Sequence, residues 1–147
     1  MTRKALDINA TDWKAWSNLG LAYLWLGRES QAGEAFRHEL ACLEEIAKVK
    51  TDDPQVQVEL GLLYSKKKLH EEAVSHIEAA LARSADDPAV LVSAAEAYEN
   101  LGDRARALQL VARAMAKGWT LAQLQNDPGQ QQLIQDPRFH NTMRQLK

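Results

Sequence analysis

The sequence predicts an all-α protein in which helical hairpins stack along the chain, and three features indicate this class. The first is an internal repeat, because the tripeptide Asp-Asp-Pro at 52–54 recurs thirty-four residues later at 86–88. The second is a small residue that precedes a tyrosine by about one helical turn in each copy. The third is the aspartate–proline pair that starts both copies and is typical of helix N-termini. Repetition at this period is a mark of solenoid architecture.

The two copies align along their whole length when Pro54 is placed on Pro88. The matched pairs are Tyr64 with Tyr98, Ala73 with Ala107, Ile77 with Val111, and Ala80 with Ala114. Small residues in one helix let its partner approach, and the larger residues fill the space between the two. We therefore expect each copy to form a closely packed pair of helices.

A third copy lies upstream and reads Trp16-x2-Leu19-Gly20-x2-Tyr23, followed by Ala32-x3-Phe36. This spacing resembles that of the tetratricopeptide repeat, and the resemblance covers most of the chain. It implies a right-handed α-solenoid of helix–turn–helix units with a C-terminal helical cap. It also implies a non-catalytic scaffold that binds protein or peptide in a concave groove and needs no cofactor.

The repeat pattern divides the chain into five predicted segments. They are the remnant of a truncated upstream repeat at 1–12, repeat units at 13–53, 54–87 and 88–118, and capping helices at 119–147. The first unit holds seven extra residues, which is close to two helical turns. We expect its second helix to be longer, with an unbroken apolar face.

Two residues depart from the repeat pattern. Lys68 stands at a turn position that is Gly27 and Gly102 in the other units, so we expect that turn to differ. Glu39 stands where the other units have alanine, so we expect it to widen the first hairpin.

Helix signals continue after the last repeat. Asp127-Pro128 and Asp136-Pro137 each resemble an N-cap followed by proline. The apolar residues that would cover the open face of the last unit are Leu133, Ile134, Phe139, Met143 and Leu146. This end of the chain also resembles the ends of repeat regions attached to bacterial serine/threonine kinases and transcriptional regulators. A C-terminal regulatory domain of such a protein is therefore an alternative function.

Composition argues against several other classes of function. The net charge of −2 gives no electrostatic reason to expect nucleic acid or an anionic membrane as partner. No apolar run approaches the ~20 residues of a membrane span, and we expect a cytoplasmic protein. Exposed apolar residues at a truncated N-terminal end, Leu6, Ile8 and Trp13, would permit a homo-oligomer, and a self-assembly module is a second alternative.

No constellation of residues predicts a catalytic or metal site. Cys42 is the single cysteine, and although His38 lies one turn before it, no second pair completes a metal site. The glycines form no phosphate-binding loop. Acidic pairs fall at helix ends or on expected solvent faces, not across a cleft. We therefore expect neither enzyme activity nor a cofactor.

The tetratricopeptide resemblance implies that the first helix of each unit lines the groove. The predicted groove residues are Lys14, Ser17, Leu21 and Leu24, then Gln55, Val58, Leu62 and Ser65, then Ala89, Val92, Glu96 and Glu99, with Trp25 and Glu59 at the margin. These positions lack the basic residues with which similar repeats hold a C-terminal carboxylate. We expect a peptide with apolar anchors and a basic end. Alternatively, the leucines pack on the missing repeat or on the lengthened helix.

Overall fold

The computed structural model describes residues 12–50 and 52–145. All regular structure in these residues is helical. The helices are α1 (Trp13–Trp25), α2 (Glu29–Ala47), α3 (Pro54–Lys66), α4 (His70–Arg83), α5 (Pro88–Asn100), α6 (Arg104–Ala116), α7 (Leu121–Gln125), a 3-10 turn (Pro128–Gln130), α8 (Gln131–Ile134) and α9 (Pro137–Gln145). This confirms the predicted all-α class. The predicted remnant, apart from Asp12, and Leu146 lie outside the described residues.

The chain divides into two compact units, residues 1–51, called the first unit below, and residues 52–147, called the second unit below. In the first unit, α1 and α2 form one hairpin. In the second unit, α3 pairs with α4 and α5 with α6, and the two hairpins pack through α3 and α5. Consecutive helix–turn–helix packing, as predicted for an α-solenoid, is therefore confirmed. No described helix is long and apolar enough to cross a bilayer.

Glycine allows close helix contact within the first two hairpins. A Cβ added to Gly20 would lie 2.5 Å from Cε1 of Phe36, and one added to Gly61 would lie 2.6 Å from Cγ1 of Ile77. These distances leave no room for a side chain. The predicted close approach at the small residues is confirmed at both positions.

The aspartate–proline pairs begin helices as predicted. The Asp53 carboxylate accepts a hydrogen bond from the N–H of Gln55 at 2.9 Å, and Asp87 accepts one from Ala89 at 3.0 Å. Proline follows at the first helical position, where a missing N–H costs nothing. Each pair therefore fixes the start of a hairpin.

The turn that contains Lys68 has the same backbone conformation as the turns that contain Gly27 and Gly102. The expectation that it would differ is wrong. Lys68 has φ of +61°, close to +73° at Gly27 and +88° at Gly102. In all three turns the residue immediately after the left-handed one donates its N–H to the carbonyl of the repeat tyrosine, at 2.8 to 3.1 Å; these donors are Arg28, Leu69 and Asp103. This closing bond imposes the left-handed conformation on whichever residue stands there.

The lengthened second helix of the first unit is present. Helix α2 has 19 residues, against 14 in α4 and 13 in α6. Its buried residues include Leu40 and Leu43, which continue the apolar face, and Glu39 is also buried. The predicted widening of this hairpin stays a prediction.

The C-terminal helices belong to the second unit and pack on α6. Leu124, Leu133 and Phe139 are buried and belong to one apolar cluster with Leu110 and Val111 of α6. Ile134 and Met143 pack against the same cluster. These short helices thereby bury apolar surface that they have no means of burying alone.

Candidate functional site

The predicted groove residues of the first unit remain accessible. Lys14 is exposed, and Ser17, Leu21 and Leu24 are half-buried. Trp25 is 56% exposed and ends α1. Leu26, which the sequence analysis did not single out, is 67% exposed beside it. An exposed apolar surface thus lies at the C-terminal end of α1, and we call Leu21, Leu24, Trp25 and Leu26 the α1 patch.

The predicted groove residues of the second unit are mostly buried. The buried members are Val58, Glu59, Leu62, Ser65, Val92 and Glu96, whereas Gln55, Ala89 and Glu99 are half-buried. The Ser65 hydroxyl donates to the carbonyl of Leu62 at 2.5 Å and is satisfied within its own helix. The Gln55 amide donates to Glu59 at 3.2 Å. Sequence reasoning did not anticipate this burial.

A segment near the C-terminus lies against α5 of the same unit. A Cβ added to Gly129 would stand 2.2 Å from the carboxyl carbon of Glu96. The side chain of Gln130 is fully buried, and its Nε2 donates to the carbonyl of Val92 at 3.2 Å. Two of the predicted groove positions on α5 are therefore already in contact with residues 129 and 130. Gly129 itself was the available sequence signal, because glycine often marks a close backbone approach.

Buried carboxyl groups surround this contact. Burial raises the pKa of Glu96 to about 8, and Lys66, whose Nζ lies 3.9 Å from its Oε2, offsets only part of that effect. Burial likewise raises the pKa of Glu59 and of Asp127. The Ser93 hydroxyl donates to Glu59 at 3.1 Å. Glu96 is therefore mostly protonated at neutral pH and hydrogen-bonds the carboxylate of Asp127.

Glu99, an acidic residue of the predicted groove, is held by an arginine of its own unit. Arg104 donates to its two carboxylate oxygens at 3.0 and 2.5 Å, and its other nitrogen lies 3.3 Å from Asp136. Asp136 also accepts from Arg138, and these hydrogen bonds, with Arg138 contributing most, hold its pKa well below the usual range. This network joins α5, the start of α6 and the start of α9.

His38 and Cys42, the two candidate metal ligands in the sequence, have other surroundings in the structure. The imidazole of His38 stacks on the ring of Trp16, with centroids 4.1 Å apart. Burial raises the pKa of the Cys42 thiol, which keeps it protonated. Within 12–50 and 52–145, no group of three or more histidine, cysteine or acidic residues is arranged to hold a metal ion.

Comparison with known proteins identifies one repeat. Residues 54–87 match the family model of the Tetratricopeptide repeat, over the same span as α3 and α4 with their flanking turn residues. No curated protein sequence matches the chain. The resemblance of the C-terminal end to kinase and regulator tails stays a prediction. The chain therefore contains a tetratricopeptide repeat, a module that generally mediates protein–protein interactions.

Proposed function

We propose that the chain is a non-catalytic scaffold that binds a protein or peptide through its first helices. The observation that carries this proposal is the exposure of the α1 patch. Trp25 and Leu26 leave more than half of their surface to solvent at a place where the repeat resemblance expects a groove. Exposed apolar surface of this kind often marks an interaction site.

The α1 patch has the spacing of a helical recognition surface. Leu21, Leu24 and Trp25 lie three and four residues apart, so they share one face of α1. Tryptophan is enriched among the residues that contribute most to binding, because it buries a large surface at low entropic cost. We infer that Trp25 and Leu24 are the principal contacts for apolar anchors.

The partner that we propose is an extended or helical peptide with apolar anchors and a basic end. In the second unit, Glu99 is the half-buried acid at the predicted groove positions, and its carboxylate holds Arg104. A lysine or arginine in a segment bound to the second unit would compete with Arg104 for that carboxylate. Glu96 attracts a basic end of the partner only weakly at neutral pH, because its carboxyl group is mostly protonated.

The proposal is tested by titrating apolar-basic peptides against the wild-type chain and two alanine variants. We expect Trp25→Ala to weaken binding by about tenfold or more, as for a contact that contributes over ~1.4 kcal/mol. Val49→Ala is the matched control, because Val49 is an 85% exposed apolar residue of the same unit outside the α1 patch. Equal binding by both variants and the wild type would refute the α1 patch as the binding surface.

Self-assembly is distinguished by a mass measurement in the same buffers. A monomer that binds peptide supports the scaffold. A dimer that dissociates in Trp25→Ala, with no peptide bound, shows instead that the α1 patch is a contact between copies of this chain.

A further inference from the structure

We propose that the segment Asp127–Gln130, here called the plug, is a built-in ligand of the face of α5 that carries Val92 and Glu96. The partner of that face is then a peptide segment with a glycine where the plug has Gly129 and a side-chain amide where it has Gln130. The inference rests on the proposed function, since α5 is one of the first helices through which we propose that a protein or peptide binds. It goes further by stating what a segment needs in order to bind there.

The need for glycine follows from the distance to Glu96. A Cβ at position 129 would lie 2.2 Å from the Glu96 carboxyl carbon and within 2.5 Å of both its oxygens. Glu96 is buried by its surroundings, so its carboxyl group has little room to move away. Any competing segment that occupies this place requires the same absence of a side chain.

The need for an amide follows from the carbonyl of Val92. Gln130 donates to that oxygen at 3.2 Å across thirty-eight residues of sequence. Its own Oε1 is buried, and among the described residues it has no hydrogen-bond partner. A buried acceptor without a donor costs free energy. The amide nitrogen, and not the amide oxygen, is therefore the group that a competing segment has to match.

Asp127 fixes the plug to its site. Its carboxylate accepts the N–H of Gly129 at 2.9 Å and hydrogen-bonds the carboxyl group of Glu96. The charged groups that face Glu96 are Lys66 and Glu59 of α3 and Asp127 of the plug. As the pH rises through the Glu96 pKa of about 8, Glu96 loses its proton and repels Asp127. The plug is then held less tightly, because two of the three neighbouring groups are also acidic.

A cleft beside the plug provides access to this site. Its volume is about 500 Å³, and its lining includes Pro128 and Gly129 of the plug together with Glu99, Asn100 and Arg104. Most of the lining is polar. A competing peptide has room to approach here before the plug leaves.

A labelled synthetic peptide of residues 125–132 tests the proposal on the full chain. We expect this peptide to bind the Gly129→Ala chain at least about tenfold more tightly than the wild type, because the added methyl expels the plug. The same peptide carrying Gly129→Ala should not bind. Gly33→Ala is the control, since a Cβ there meets nothing within 4 Å. Equal affinity for wild type and Gly129→Ala, or equal binding by the two peptides, overturns the proposal.

Amide hydrogen exchange gives a second readout that needs no peptide. In Gly129→Ala, the amides of residues 127 and 129–131 should exchange faster while those of α6 stay protected, which shows that the hairpins remain folded. Corrected for intrinsic rates, the wild-type plug should lose protection above pH 8, whereas Glu96→Gln should keep it. The proposal is overturned if exchange of the plug amides is the same in Gly129→Ala as in the wild type and the wild-type plug also keeps its protection above pH 8.

Failure of the plug is distinguishable from failure of the proposed function. Peptides that bind through the α1 patch while plug exchange stays constant refute the plug alone. The α1 patch alone is refuted if the plug opens and the 125–132 peptide binds in its place, while Trp25→Ala has no effect on the binding of any partner.

Discussion

Gly61 lies so close to Ile77 that a Cβ on the glycine would stand 2.6 Å from Cγ1 of the isoleucine and 3.0 Å from the carbonyl oxygen of Ala73. The contact joins α3 to α4 at the place where the repeat pattern puts a small residue opposite a large one. Because one neighbour is backbone, the hairpin has little freedom to accommodate a side chain here.

Gly61→Ala should therefore lower the free energy of unfolding, by about 1–3 kcal/mol as for other overpacked sites. Gly33→Ala in α2 is the matched control, and there the higher helix propensity of alanine should raise it by about 0.5–1 kcal/mol. Chemical denaturation followed by circular dichroism measures both. A neutral effect of Gly61→Ala would show that α3 and α4 separate easily.

Lys68→Gly should stabilise the chain by about 1 kcal/mol, because Lys68 holds a left-handed conformation that glycine adopts without strain. The neighbouring Lys67 has φ of −87°, so Lys67→Gly should destabilise instead, through the greater entropy of the unfolded chain. Thermal and chemical denaturation of the pair report the two signs. Destabilisation by both changes would contradict the strained turn.

Leu133→Ala should cost about 2–5 kcal/mol, since Leu133 is fully buried in the core of the second unit and its truncation leaves a cavity. Leu121→Ala, at a leucine 38% exposed in the same C-terminal region, should cost much less. Unfolding of the two variants in urea measures the difference. A loss of stability in Leu133→Ala as small as the loss in Leu121→Ala would mean that the C-terminal helices contribute little to the core.

The free energy of unfolding should fall as the pH rises from 4.5 to about 8. Glu96 has its pKa raised over that interval, so the folded chain binds a proton that the unfolded chain has released. The raised pKa values of Glu59 and Asp127 act in the same direction. The loss should be on the order of a few kcal/mol.

Glu96→Gln is the control for this dependence, because glutamine carries no titrating proton and keeps a side chain of similar shape. Its stability should vary much less between pH 4.5 and 8. Denaturation midpoints across this range test both chains. A wild type whose stability rises with pH would contradict the buried, protonated Glu96.

Local rules explain how much of the fold was predictable from the sequence. The helix starts at Asp53 and Asp87 depend on residues adjacent in sequence, and the long α2 follows from counting whole turns. Gly20 and Gly61 stand at corresponding positions of two repeats, so the close helix contacts at both glycines could also be predicted from the sequence. Lys68 was misjudged because the hydrogen bond that closes the turn outweighs the cost of a side chain at positive φ.

The candidate site was less predictable because its contacts join distant parts of the chain. The burial of Val92 and Glu96 includes contacts with residues 129 and 130, more than thirty positions later, where the repeat pattern has ended. No periodicity links these segments. Gly129 alone hinted at a close approach, and a single glycine does not identify its neighbour.

Chemical-shift mapping with an apolar-basic peptide reports directly whether α1 presents the binding surface. On a ¹⁵N-labelled full chain, we expect the largest shifts at the amides of Leu21, Leu24, Trp25 and Leu26, and we expect these shifts to be lost in Trp25→Ala. Shifts confined to α2, or to residues outside the first helices, would contradict it.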